Sequence, residues 1–176
     1  MGTDLFTYIQ RLELIAFFSG YPFIYAIVYT IAGEKHKIAG SFANRLTSSL
    51  PMAYALTGTL FIGLLLKDLY PDYSAKNIAY QFQTPYFVIW GILSVLFWIP
   101  AFSKKTIFSL LHSLVFFSLF LKDLFLYFND SMDKEMIRND MKIYTISLLL
   151  NTATLFFILA VSFIQQRINS RNKSTA

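Results

Sequence analysis

The stretch from Ile143 to Ile164, IYTISLLLNTATLFFILAVSFI, carries no charged residue and decides the fold class of this chain. Its length matches the roughly 20 residues that an α-helix needs to cross a hydrocarbon core about 30 Å thick. The stretch therefore predicts a transmembrane helix.

Four further apolar runs precede this stretch. Together the runs predict an all-α integral membrane protein built as a bundle of five transmembrane helices. The predicted spans cover residues 12–33, 47–68, 84–102, 105–128 and 142–165. The second to fourth runs are at the short end of the range that crosses a bilayer. Residues 1–168 are expected to form a single transmembrane domain, and residues 169–176 a short basic cytoplasmic tail.

The composition agrees with this class and excludes several kinds of site. Only 14% of the 176 residues are charged and 56% are hydrophobic, whereas about a quarter of the residues in soluble domains are charged. The chain has no cysteine, which excludes disulfides, thiolate metal sites and cysteine nucleophiles. The net charge of +5 comes from basic residues scattered between apolar runs. We therefore expect a lipid bilayer as the partner and no nucleic acid.

The basic residues predict an N-terminus outside and a C-terminus in the cytoplasm. In this orientation Lys104 and Lys105 lie in the short inner connection, and the residues after the fifth span carry basic charge alone. The two sides differ little in total, eight Lys and Arg inside against seven outside, so this clustering decides the prediction. The first run is expected to be a retained span, because it is longer than a signal peptide and positive charges follow it. The expected location is the bacterial cytoplasmic membrane.

Prolines mark expected helix ends and kinks. Pro51 follows the hydroxyl residues 47–49, and Pro85 follows a threonine, a pattern that predicts helix starts. Pro22 lies inside the first run and Pro100 near the end of the third. A proline at such a position frees a backbone carbonyl and is expected to kink the span.

A weak internal repeat links two of the spans. Residues 60–69 read LFIGLLLKDL and residues 115–124 read VFFSLFLKDL, with six identities in ten. This similarity predicts a parallel repeat of two helical hairpins. Two interpretations of the Lys-Asp pairs stay open: either the lysines extend to the outer interface, or the pairs form a cluster in which each lysine binds the aspartate of the other repeat. The residues are Lys67, Asp68, Lys122 and Asp123.

Polar side chains fall at similar depths within the spans. Ser109, His112 and Ser113 form one helical stripe on the fourth span, and Ser147, Asn151 and Thr154 form another on the fifth. Thr57 is the residue that the internal repeat aligns with His112. One interpretation is that these groups join helices by hydrogen bonds; the other is a polar cavity in which His112 titrates, passes protons or contacts a small substrate. This candidate intramembrane polar layer consists of Thr57, Ser109, His112, Ser113, Ser147, Asn151 and Thr154.

Small residues recur at four-residue spacing on the first two spans. Such faces let helices approach closely, within this chain or against a partner. The candidate helix-packing faces are Ala16 and Gly20 on the first span, and Ala55, Thr59 and Gly63 on the second. Tyr21, Tyr25 and Tyr29 form an aromatic stripe that is expected to pack rather than to contact a ligand.

No motif in the chain points to catalysis, so we expect no enzyme, no catalytic residue, no metal ligand and no cofactor. The usual metalloprotease, serine-hydrolase and phosphate-loop patterns are missing from the sequence. The leading expectation is a non-catalytic subunit of a larger membrane complex, with a structural, assembly or docking role beside other subunits or copies of itself. The alternative is a small oligomeric channel or carrier for an ion or small solute, using a polar layer around His112, Asn151 and Thr154.

Overall fold

The computed structural model describes residues 16–34, 40–71, 73–74, 85–129 and 134–174. The described residues are 92% helical and include no strand, which confirms the predicted all-helical class. Within these ranges three helices are long and apolar enough to cross a membrane, at Phe42–Lys67, Thr106–Leu126 and Met141–Ile168. Two shorter apolar helices cover Ala16–Ala32 and Pro85–Trp98.

The helices are named in chain order, and a helical turn at residues 16–18 precedes the first of them. The two longest helices, Gly40–Leu69 and Lys134–Ser174, measure about 45 and 60 Å at a rise of 1.5 Å per residue. Both therefore extend beyond a hydrocarbon core about 30 Å thick. The elements are α1 (Tyr21–Glu34), α2 (Gly40–Leu69), α3 (Pro85–Leu93), a 3₁₀ helix (Ser94–Trp98), α4 (Pro100–Ser103), α5 (Thr106–Phe128) and α6 (Lys134–Ser174).

The prediction that Pro51 begins a helix is wrong, because Pro51 lies inside α2. The hydroxyl residues before it bond back to carbonyls of the preceding turn. The hydroxyl of Thr47 donates to the carbonyl of Ala43 at 3.1 Å, and that of Ser49 donates to the carbonyl of Arg45 at 2.8 Å. These side chains therefore bond within a continuing helix and do not cap a new one.

The first and third apolar runs are both interrupted. A turn at residues 19–20 separates the first helical turn from α1, and Pro22 falls in the first turn of α1, where its missing N–H costs no hydrogen bond. α3 covers Pro85–Leu93 and then tightens into the 3₁₀ helix. Ile99 is extended, with ψ of 128°, because the ring of Pro100 disfavours the helical conformation in the residue before it.

Aromatic side chains form the centre of the bundle. Phe18 stacks on Phe116 at 4.6 Å between ring centroids and meets Phe61 edge-on at 5.5 Å. Tyr21 packs against Tyr54 at 4.5 Å. Tyr21 comes after Phe18 in the chain, whereas its partner Tyr54 comes before Phe61, the partner of Phe18. The first segment and α2 are therefore antiparallel. All five side chains are almost fully buried.

Contacts between the other helices show that directions alternate along the chain. α6 is antiparallel to α2, and α5 is antiparallel to α3. α5 is also antiparallel to α1, since Tyr21 meets Ser109 and Tyr25 meets Thr106. Thus α1, the α3–α4 segment and α6 run one way, and α2 and α5 run the other. The contacting pairs are Thr57–Thr154 and Arg45–Phe163 for α2 and α6, and Phe87–Phe116 and Trp90–His112 for α3 and α5.

Two glycines lie where segments approach each other closely. A Cβ atom at Gly20 would lie 2.7 Å from the backbone nitrogen of Leu148, and one at Gly58 would overlap the hydroxyl of Ser94. At Gly63 nothing lies within 4 Å of such an atom. Of the predicted packing faces, Gly20 and Ala55 are buried, Ala16 is half-buried, and Thr59 and Gly63 are exposed.

We predict that Gly20→Ala destabilises the protein whereas Gly63→Ala does not. The new methyl group at Gly20 meets the backbone of α6, which cannot rotate away, and overpacking of this kind costs about 1–3 kcal/mol. The thermal unfolding midpoint of each variant in detergent measures the difference. Equal midpoints for the two variants would contradict the close approach of Gly20 to α6.

Candidate functional site

The side-chain amide of Asn151 on α6 joins three segments in the middle of the bundle. Its Nδ2 group donates to the carbonyls of Phe17 and Ser147, each at 2.8 Å. Its Oδ1 atom accepts from the hydroxyl of Thr57 on α2 at 3.4 Å. Asn151 is only 2% exposed, so these partners replace water completely.

The neighbouring hydroxyls complete this group, which we call the Asn151 cluster: Thr57, Ser147, Asn151 and Thr154. The hydroxyls of Thr57 and Thr154 lie 3.2 Å apart, and Thr154 also donates to the carbonyl of Asn151 at 3.0 Å. The Ser147 hydroxyl accepts from the backbone N–H of Gly20 at 2.8 Å. Every member of the cluster is buried.

The Asn151 cluster supplies hydrogen-bond partners to the backbone around the turn at residues 19–20, which interrupts the first apolar run. A helix that ends leaves carbonyls without intrahelical partners, and one that begins leaves N–H groups without them. Asn151 bonds to the carbonyl of Phe17, before the turn, and Ser147 bonds to the N–H of Gly20, within it. Asn151 and Ser147 of α6 thus stabilise the turn that interrupts the first apolar run.

His112 belongs to a second group, at the contact of α2, α3 and α5. Its Nδ1 atom and the hydroxyl of Tyr54 share a hydrogen bond of 2.7 Å. The imidazole stacks on the ring of Trp90 at 4.6 Å with an interplanar angle of 7°. The indole N–H of Trp90 donates to the backbone carbonyl of His112 at 2.9 Å. The imidazole is therefore fixed on two sides.

The Nε2 atom of His112 is buried and has no hydrogen-bond partner among the described residues. When Tyr54 donates to Nδ1, the neutral imidazole carries its hydrogen on Nε2. Phe97, at 5.7 Å between ring centroids, lies edge-on to the imidazole, and Phe116 lies at 6.5 Å. The surroundings of the imidazole are thus largely aromatic.

The residues predicted as one polar layer form separate groups. Thr57, Ser147, Asn151 and Thr154 come together, while His112 binds Tyr54, one turn before Thr57 on α2. Ser109 bonds to the hydroxyl of Tyr21 at 2.7 Å, and Ser113 bonds to the carbonyl of Leu110 in its own helix.

Sequence reasoning missed Tyr54 and Trp90 as partners of His112. A signal was present, because a buried phenol or indole needs a hydrogen-bond partner. The tyrosine stripe packs as expected along α5: the hydroxyl of Tyr29 lies 2.6 Å from that of Thr106, and the rings of Tyr25 and Tyr29 stack at 4.5 Å.

The predicted charge pairs lie near the ends of α2 and α5. Lys67 and Lys122 are both exposed. The side chains of Asp68 and Asp123 lie outside the described residues, so pairing between the repeats stays a prediction. Within the described ranges, no group of three or more His, Asp or Glu side chains could hold a metal ion. No protein-family model, curated protein or solved structure matches this chain.

We predict that Asn151→Leu lowers the free energy of unfolding by about 1–2 kcal/mol, because the Phe17 carbonyl loses its donor within the bundle. Thr152→Val is the matched control, since the hydroxyl of Thr152 donates to the carbonyl of Leu148 in its own helix. Unfolding of both variants in mixed micelles gives the two values. A loss no larger for Asn151→Leu than for Thr152→Val would contradict the bridging role.

Proposed function

We propose that this chain is a non-catalytic integral membrane subunit with a structural, assembly or docking role in a larger membrane protein complex. The observation that carries this proposal is the closed Asn151 cluster. A conduction path needs polar groups that face water or a passing solute. Here the hydroxyls and the amide of the cluster are buried and bind one another or the interrupted backbone.

The surface that remains for interaction at membrane depth is largely apolar. The clearest site for a neighbouring helix is on α2, where Thr59 and Gly63 are exposed at four-residue spacing and the space beside Gly63 is open. Exposed apolar side chains extend along α5 as well. They include Ile107, Leu111, Leu114, Leu121 and Phe125. This surface is open to lateral contact with lipid or with another membrane protein.

For the topology, we propose five spans in a bacterial cytoplasmic membrane, with the N-terminus outside and the C-terminus in the cytoplasm. The alternating directions of α1, α2, the α3–α4 segment, α5 and α6 support five crossings. The basic pair Lys104 and Lys105, directly before α5, supports the orientation.

Cysteine labelling tests this topology without background, because the chain has no cysteine of its own. We expect Ser74→Cys to react with a membrane-impermeant maleimide in intact spheroplasts, and Ser103→Cys to react only after lysis. The opposite pattern would reverse the orientation, and labelling of both from one side would remove the crossing between them.

Purification of the tagged chain from its native membrane in a gentle detergent tests the subunit role. We expect a particle much heavier than the 20.3 kDa of this chain, with other proteins in a fixed ratio. Gly63→Leu should reduce the amount of copurified protein, since its side chain occupies the open space on α2. Leu114→Ile is the control on another exposed helix. A particle made of this chain alone would contradict the proposal.

A channel or carrier is the second candidate, favoured by the Nε2 atom of His112, which has no hydrogen-bond partner among the described residues, and by the 3₁₀ helix beside it. A 3₁₀ stretch within a span often marks a hinge. The purified chain in liposomes should then conduct an ion or solute, and His112→Asn should abolish the flux. A lack of flux across a panel of small ions excludes an ion channel.

A further inference from the structure

Three polar side chains follow one another along a single face of α5. Thr106, Ser109 and His112 are spaced three residues apart, so each lies nearly one turn beyond the last. Each step measures about 4.5 Å along the helix axis. Thr106 is the first residue of the helix, whereas Ser109 is fully buried. The face therefore leads from the end of the bundle into its interior.

A tyrosine hydroxyl from α1 or α2 bonds to each of these three side chains. The bonds measure 2.6 or 2.7 Å, and the pairs are Tyr29 with Thr106, Tyr21 with Ser109, and Tyr54 with His112. We name these pairs the hydroxyl row. A hydroxyl is both a donor and an acceptor, so it can take up one proton while it releases another.

The tyrosine rings of the row are connected by ring contacts. Tyr21 lies 4.5 Å from Tyr54 and 6.2 Å from Tyr25 between ring centroids, and Tyr25 stacks on Tyr29 at 4.5 Å. Tyr29 is 42% exposed, whereas Tyr21 and Tyr54 are 2% and 0% exposed. The hydroxyl row therefore begins at the surface and ends at a buried imidazole atom.

Ionised groups mark the end of the bundle at which the row begins. Lys104 and Lys105 are exposed and directly precede Thr106. Glu34 ends α1, five residues after Tyr29, and its side chain lies outside the described residues. Charged residues near the end of a span lie at the interface with water. Water is thus available where the hydroxyl row begins.

We propose that His112 exchanges protons with this water through the hydroxyl row. Neighbouring pairs are separated by about 4.5 Å along α5, a gap that one water molecule with two hydrogen bonds of about 2.8 Å spans. In the last step Tyr54 gives its proton to Nδ1 of His112 and takes another from the row. The phenol stays neutral, the imidazole becomes an imidazolium, and one hydronium ion outside becomes water.

The surroundings of the imidazole make His112 the end of the path. Trp90 lies parallel to the imidazole at 4.6 Å, and the face of an indole attracts a cation. Phe97 and Phe116 also lie near the ring, and Nε2 has no hydrogen-bond partner among the described residues. Of these neighbours, only Tyr54 titrates. A proton on His112 therefore leaves by the path on which it came.

Such a proton site goes beyond the subunit role proposed above and is compatible with it. Histidine is the side chain best suited to gain and lose a proton near neutral pH, and histidines within membrane spans often belong to proton relays. The hydroxyl row differs from the Asn151 cluster, whose hydroxyls bind one another or the interrupted backbone.

The test measures proton exchange at His112 by NMR of the full-length chain in detergent micelles, with ¹⁵N in its histidine rings. The chain has two histidines, and His112→Asn identifies the signal by removing it. Near the midpoint of the titration, the line shape gives the rate at which the imidazole gains and loses its proton. We expect Ser109→Ala to slow this exchange at least about a hundredfold. The midpoint pH should stay the same, because Tyr54 still faces Nδ1.

Ser118→Ala is the matched control. Ser109 and Ser118 both donate to the carbonyl three residues earlier in α5, at 2.7 Å, but Ser118 is exposed and lies beyond His112. Its variant should exchange at the wild-type rate. Thr106→Val removes the first hydroxyl and should slow the exchange as Ser109→Ala does, whereas Thr106→Ser keeps that hydroxyl and the rate.

Three results would overturn the proposal. They are a wild-type exchange rate in Ser109→Ala and Thr106→Val, equal slowing by Ser118→Ala, and an imidazole that takes up no proton at any pH at which the chain stays folded. Circular dichroism checks folding at each pH. If Ser109→Ala does not fold, the comparison of Thr106→Val with Thr106→Ser decides, and equal rates for these two variants would exclude the hydroxyl row as the path.

Discussion

Backbone groups within a bilayer have no water to bind, and this constraint governs the structure. The turn at residues 19–20 interrupts the first apolar run and would leave the Phe17 carbonyl and the Gly20 N–H unsatisfied. Asn151 and Ser147 satisfy both, which ties α6 to the first segment. Gly20 permits the short distance, because any larger residue would meet the backbone of α6.

The need for every polar group in a bilayer to find a hydrogen-bond partner also explains how the α3–α4 segment, the third segment of the chain, is attached. Both of its indole N–H groups are bonded: Trp90 to the carbonyl of His112, and Trp98 to the hydroxyl of Thr59. The close contact of Ser94 with Gly58 brings the 3₁₀ helix against α2. The side chains of Trp90, Ser94 and Trp98 thus attach this segment to α2 and α5.

The sequence predicted the helical class and the polar stripe of α6, because apolar length and a helical period are both readable along a chain. It did not predict that Pro51 lies inside α2. Hydroxyl residues before a proline either cap a new helix or bond back to carbonyls of a helix that continues through the proline. It also joined His112 to the Asn151 cluster. The rise per residue gives the depth of a side chain along a helix, but not which side of the helix axis it lies on. Nor does it show that the hydroxyl of Tyr54 extends to Nδ1 of His112.

The third segment also gives the protein an optical property. The chain has two tryptophans, and both belong to this segment, one stacked on an imidazole and the other 43% exposed. Intrinsic fluorescence excited at the red edge of the indole band therefore reports on the α3–α4 region and not on the rest of the bundle. A displacement of this region from α2 or α5 becomes visible without any attached dye.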